Sequence, residues 1–359
     1  MLERAADERF PWTIHYNVDP LLDALSAIPL PPVNVFRQML RRSRWSGDGG
    51  ASRHGTTRPK RRSYLRKTAL TVFAFVQIVM SGAARLASQP QNGDESVVLV
   101  GAGDIANCDM LGGARATAAL LDKIEGTVFT LGDHAYPSGS TKQLKDCYEP
   151  TWGRHKARTR PTLGNHDLIT NRGQPYYEYF GDNAGPIGRG YYSYDLGVWH
   201  IISLNGTAVV DARSPQATWL REDLASHPTD CVLAYWHMPL FSSGPHGGTP
   251  EMKEVWKILY EAGADVVVNS HDHLYERFAP LNQKGEPDPE RGVRLFLVGT
   301  GGAGVYKLNK IARHSEVHNN TTYGVLKFTL SKGHYAWEFI PMAGQKFTDS
   351  GSAVCSPAR

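Results

Sequence analysis

Five apolar stretches of this chain each end on side chains of metal-ligand type, and that recurrence limits the fold more than any other feature. The run Val128-Phe129-Thr130-Leu131 ends in Gly132-Asp133-His134-Ala135-Tyr136, so a strand delivers a carboxylate and, three residues on, a phenol. Asp104 follows Val97–Val100, and Asn165-His166-Asp167 follows Leu163. His237 follows Val232–Trp236, and His271 and His273 follow Val266–Val268. In an open α/β sheet, ligands bind in the crevice beyond the strand ends. Asp, Tyr, Asn and His placed at successive strand exits can therefore converge on metal ions.

The 359 residues divide unevenly. Residues 1–57 mix Pro, Arg, Gly and Ser without sustained periodicity and read as a low-order extension. Residues 58–90 begin with Lys60-Arg61-Arg62-Ser63-Tyr64-Leu65-Arg66-Lys67 and continue through the 17 uncharged residues Thr68–Ala84, ending in small side chains. That layout is a signal peptide's, and Arg61-Arg62 with Tyr64 resembles the twin-arginine export signal. It predicts an exported protein (periplasmic, extracellular or at the cell surface), with membrane association only if the segment stays uncleaved as an anchor. Because a signal this far into the chain is unusual, the translation start is expected later, so that 1–57 is not part of the cellular protein.

Residues 91–359 are then the catalytic domain, long enough for a substantial core. Residues 1–84 hold 13 Lys/Arg against 6 Asp/Glu, so 26 of the 39 basic and 29 of the 35 acidic residues remain beyond them. A net charge of −3 there argues against nucleic acid as a partner, which would need a basic face. Cys108, Cys147, Cys231 and Cys355 allow three pairings, and Cys108–Cys147 with Cys231–Cys355 is preferred for an exported protein.

β-branched runs predict strands at 97–102, 127–131, 231–236 and 265–269, with later ones at 293–299, 323–330 and 334–340. A hairpin is expected over 191–196 and 199–204, and helices over 112–124, 215–226 and 249–262, with a helix-like segment at 141–149. The aromatic cluster Tyr176–Phe180 is expected in a loop near the site. Interrupted alternation of strand and helix implies an α/β fold of two mixed sheets packed face to face, helices outside.

The ordered series Asp104, Gly132-Asp133-(x)₂-Tyr136, Gly164-Asn165-His166-Asp167, His237 and His271-Asp272-His273 resembles the calcineurin-like metallophosphoesterase superfamily. Within it the chain is similar to purple acid phosphatases, because Asp104-Ile105-Ala106 lacks the usual Asp-x-His histidine and Tyr136 appears in the next motif. The resemblance implies a four-layer α/β/β/α sandwich with two metal ions. One ion would take Asp104, Asp133, Tyr136 and His273, the other Asp133, Asn165, His237 and His271, with Asp133 shared. A carboxylate can bridge two cations roughly 3.5–4 Å apart. A phenol of pKa near 10 ligates only a strongly polarising cation, so Tyr136 points to Fe(III), with Zn(II), Mn(II) or Fe(II) as partner.

The same resemblance makes His166 the general acid, with Asp167 orienting its ring, and His246 a substrate contact. The expected reaction is in-line attack on a small phosphate monoester by a hydroxide held on the metals. The alternatives are a phosphodiesterase using the same site, acting on cyclic nucleotides or lipid head groups, and a binding module that retains the fold. The Gly299–Gly304 run, with no Lys-Ser/Thr after it, reads as a tight turn under the site.

Overall fold

The computed structural model describes residues 96–208, 210–229 and 231–356. The extension 1–57 and the export segment 58–90 lie outside the described residues. Two mixed sheets dominate what is described. The first has the order β15 (Ser350–Val354), β14 (His334–Pro341), β13 (Gly324–Ser331), β1 (Val97–Ala102), β3 (Thr127–Thr130) and β5 (Thr159–Pro161). Strands β1, β3 and β5 run parallel, and the other three join antiparallel. The second has the order β12 (Ser315–Asn319), β10 (Tyr275–Phe278), β11 (Arg294–Val298), β9 (Val266–Asn269), β8 (Val232–Tyr235), β7 (Trp199–Ser203) and β6 (Tyr192–Leu196). Its parallel centre is β11, β9, β8 and β7. A small parallel pair, β2 (Ala106–Asn107) and β4 (Ala135–Tyr136), sits beside the strand exits.

Period-two alternation sorts the second sheet's side chains. Ile201, Leu233, Tyr235, Val266 and Val268 face the first sheet and join its core. Ile202, Val232, Ala234 and Val267 face the other way, onto Leu220 of α3 (Pro215–Ser226) and Trp256 and Leu259 of α4 (Lys253–Ala262). Both faces are thus covered, which is why β8 and β9 are unbroken apolar runs rather than half-polar ones. Helix α1 (Gly112–Leu121) covers the first sheet, and the Trp152 indole N–H donates to Thr117 on it. The ends of α3 and α4 follow local rules. Ser214 caps α3 by accepting from the Ala217 N–H ahead of Pro215, and α4 stops at Gly263 with φ 83°.

The α/β sandwich is therefore as the sequence implies, with some differences. Tyr176–Phe180 is not a loop lining the site but most of helix α2 (Gln174–Phe180), its Tyr176 and Phe180 buried. β10, β12 and β15 were not expected. In β10, Glu276 is buried and takes both the N–H and the hydroxyl of Ser243, so the polar letter hides a core position. Both preferred disulfides form, with Cα–Cα separations of 5.3 Å for Cys108–Cys147 and 5.4 Å for Cys231–Cys355. No described helix is long and apolar enough to cross a membrane.

Candidate metal centre

All seven predicted ligands meet where the strands of both sheets end. Asp104 leaves β1, Asp133 and Tyr136 follow β3, and Asn165 follows β5; His237 leaves β8, and His271 and His273 follow β9. Three of them turn through left-handed backbone: Asp104 at φ 58°, Asp133 at 52° and His271 at 71°. Such positions cost on the order of 1–3 kcal/mol each and cluster where function demands a particular aim. Gly164 makes room for this geometry, because a Cβ there would fall 2.1 Å from Asp133 Oδ1.

Two adjoining groups of donors result. The Tyr136 hydroxyl lies 2.7 Å from Asp104 Oδ1, 3.0 Å from Asp133 Oδ2 and 3.1 Å from His273 Nε2. His237 Nε2 lies 2.9 Å from Asn165 Oδ1, 3.2 Å from His271 Nδ1 and 3.3 Å from Asp133 Oδ2. Asp133 Oδ2 belongs to both groups. Burial raises the Tyr136 phenol pKa far above its usual value, and Asp104 and Asp133 push it further. Burial opposes a proton on His237, but facing Asp133 outweighs it and holds the ring's pKa at about 9. His271 goes the other way, down to about 3, through burial and the neighbouring His237. Asp133 is held below the usual carboxylate range: burial resists its charge, but His237 and His166 override it. Carboxylate, phenol, amide and imidazole groups facing one another this closely in a buried pocket are of the types that hold metal ions, which would take the place of the protons on Tyr136 and His237.

The supporting contacts correct one expectation. Asp167 does not orient His166. Its two oxygens accept from the backbone N–H groups of Asp133, His134 and Gly164 and meet His134 Nδ1 at 2.9 Å. His134 is fully buried and also meets the Thr130 hydroxyl at 2.7 Å, with Phe180 of α2 against its ring. His166 is held instead by its own backbone. Its N–H donates to Asp133 Oδ1 at 2.8 Å, and its Nδ1 lies 2.6 Å from the Pro137 carbonyl. Its Nε2 is 4.0 Å from Asp133 Oδ2 with the side chain 31% exposed, so it reaches both centre and solvent.

His246 lies against His271, with ring centroids 4.4 Å apart and planes tilted by 31°, its backbone N–H tied to buried Asp272 at 3.1 Å. The sequence had flagged the motif containing Asp272 but not this anchoring contact. Tyr306, against His273, carried no sequence signal at all, because it lies on a loop 33 residues further on. Gly299 and Gly301 pass directly beneath Asp104, matching the predicted tight turn.

Residues 98–275 match the calcineurin-like phosphoesterase family. Purple acid phosphatase 18 of Arabidopsis thaliana is 29% identical over 180 residues, which cover 48% of this chain and 39% of that protein. Purple acid phosphatase 21 of the same plant is 29% identical over 230 residues, covering 56% and 49%. The chain thus spans less than half the length of these relatives. Among solved structures, a purple acid phosphatase from yellow lupin (Lupinus luteus) seeds superposes with a TM-score of 0.57 at 19% identity, covering 73% of this chain and 54% of that one. GAP50, the anchor in the inner membrane complex of Plasmodium, gives 0.54 at 14% identity over 74% and 90%. These two share the fold. With the ordered motifs and the relatives in agreement, residues 98–275 are those of a calcineurin-like phosphoesterase, and this stretch is similar to the purple acid phosphatases.

Proposed function

We propose that the protein hydrolyses small phosphate monoesters at a dinuclear Fe(III)–M(II) centre, M being Zn, Mn or Fe. The observation that carries this reading is the Tyr136 phenol within 3.1 Å of Asp104, Asp133 and His273. A buried phenol among carboxylates ionises only against a strongly polarising cation, the role of Fe(III). Asp104, Asp133, Tyr136 and His273 would hold one ion, and Asp133, Asn165, His237 and His271 the other. Two such ions, when bound, neutralise the phosphoryl oxygens and acidify the attacking water.

The chain's own part in the reaction falls to its rim. With Nδ1 of His166 donating to the Pro137 carbonyl, Nε2 is the nitrogen left to face the substrate and to pass a proton to the departing oxygen. His246, fixed through Asp272, stands over His271 where it can hold a phosphoryl oxygen. Replacing His166 by Ala should slow turnover by roughly 100-fold, and less for substrates whose leaving group needs no proton. The deciding experiment is metal analysis with a visible spectrum, alongside turnover of p-nitrophenyl phosphate and its bis ester. Iron with a phenolate-to-iron band and preference for the monoester are expected; dominant diester hydrolysis would overturn the monoester reading.

Export belongs to the same proposal. Two disulfides in the catalytic region support an oxidising compartment, and the Arg61-Arg62 segment supports the twin-arginine route. N-terminal sequencing of secreted material is expected to begin after Ala84; a mature chain starting before Arg61 would refute both cleavage and the late start.

A further inference from the structure

An imidazole that binds a metal is normally held in plane by a hydrogen bond at its other nitrogen. His237 follows this pattern: its Nδ1 lies 2.7 Å from the Leu131 carbonyl and 3.0 Å from the Ser270 hydroxyl. His273 does not. Its Nε2 faces Tyr136, but its Nδ1 is buried and no described residue offers it a hydrogen-bond partner. Backbone at Gly304 lies alongside, close enough that an added Cβ would stand 3.6 Å from Nδ1.

What holds this ring is another ring. Tyr306 lies flat on His273, with centroids 3.9 Å apart and planes 11° apart. The loop carrying it is pinned to the residue it covers: the Tyr306 N–H donates to the His273 carbonyl at 3.0 Å, and the Asn320 side chain donates to the Tyr306 carbonyl at 2.9 Å. The other edge of Tyr306 meets His246 at 5.5 Å. Rotation about the last side-chain torsion of His273 is otherwise soft, and the stacked phenol blocks it. We propose that Tyr306 is a positioning residue that fixes the His273 imidazole by face-to-face stacking, in place of the hydrogen bond its partner histidine has, and so secures the ion in the Tyr136 pocket. This rests on the dinuclear reading above.

The test uses the full chain loaded with Fe(III) and Zn(II), comparing wild type with Tyr306→Phe and Tyr306→Leu. Tyr306→Gln serves as a second non-aromatic variant should the leucine substitution not be tolerated. Release of iron to a chelator and the phenolate-to-iron band are recorded beside activity. Loss of the ring is expected to speed iron release by roughly 10-fold and to alter the band at equal iron content, while Tyr306→Phe stays within about twofold of wild type. Wild-type release from Tyr306→Leu or Tyr306→Gln would overturn the proposal, as would a Tyr306→Phe defect equal to theirs. A wild-type chain that takes up no iron would instead overturn the dinuclear reading on which the proposal stands.

Discussion

Two clusters in this protein contain the same kinds of side chain and are built for opposite ends. Asp133, His237 and His271 bring donor atoms within 4.8 Å of one another, and so do His200, Asp223 and His227. In the second cluster the atoms that face one another are bonded to one another and to their neighbours. His200 meets Asp195 at 2.9 Å through Nδ1 and Asp223 at 2.8 Å through Nε2, while Asp223 also accepts from Ser193. His227 lies parallel to His200 at 4.3 Å, its Nδ1 against the Asp223 carbonyl. Burial disfavours a charge on His200, but the two carboxylates outweigh it and raise its pKa. The result is a clamp that favours a proton on His200, running from the β6–β7 hairpin to the last turn of α3, where the helix dipole also favours positive charge. In the first cluster Asp133, His237 and His271 share their focus with Asp104, Tyr136, Asn165 and His273. Residue types alone do not make a metal site; the number of donors sharing one focus matters as well.

The sharpest way to break this contrast is to neutralise the carboxylate of each cluster. Asp133→Asn should lose at least one ion and cut phosphatase activity by on the order of 100-fold or more, whereas Asp223→Asn should leave metal content unchanged. Metal analysis of the pair decides it, and metal loss from Asp223→Asn would sink the distinction.

The disulfides extend the comparison, since Cys108–Cys147 links β2 to the segment after the Tyr136 turn and Cys231–Cys355 lies beside His200. Closing loops of 39 and 124 residues stabilises by roughly 4 and 5 kcal/mol on the chain-entropy account. Replacing Cys231 and Cys355 by Ala should therefore cost about 5 kcal/mol in denaturant melts with no change in metal stoichiometry.

Third, His200→Gln should cost about 2 kcal/mol, the scale of a charged hydrogen bond. Because the folded-state pKa of His200 is raised, its contribution is complete below its ordinary value near 6.5 and fades as pH climbs through the folded value. Stability against pH should lose that alkaline decline in the variant; an unchanged slope would show the clamp is uncharged.

The smallest effect is a count of protons. His237, held near 9, and Tyr136, held far above its usual value, both carry protons at neutral pH, whereas His271 near 3 does not. Loading the metal-free protein at pH 7 should release about two protons, with affinity rising steeply up to about pH 9 and less steeply above it, where only Tyr136 still has a proton to lose. Calorimetry in buffers of differing ionisation enthalpy measures this.

Much of the centre was legible in sequence because strand exits are local: an apolar run followed by Asp or His announces both the strand and the aim of its last residue. Contacts made by loops from elsewhere were not. Asp167 sits beside His166 in the chain and looked like its partner, yet the turn directs its oxygens to the 133–134 backbone. Tyr306 and Asp272 act through stacking and anchoring geometry that no spacing encodes. Tyr176–Phe180 looked like a loop because aromatic residues favour strands and surfaces as readily as a short helix, and only burial against His134 decides. The edge strands β12 and β15 were missed because they lack an apolar run to mark them.

The seven gathered side chains come from both halves of the sandwich. Asp104, Asp133 and Asn165 hang from the first sheet and His237, His271 and His273 from the second. Ions seated between them would act as rivets through a seam otherwise closed by apolar contact and a few hydrogen bonds such as Gly103 N–H to the Val298 carbonyl. Any ion that binds there would report on how well the two layers meet.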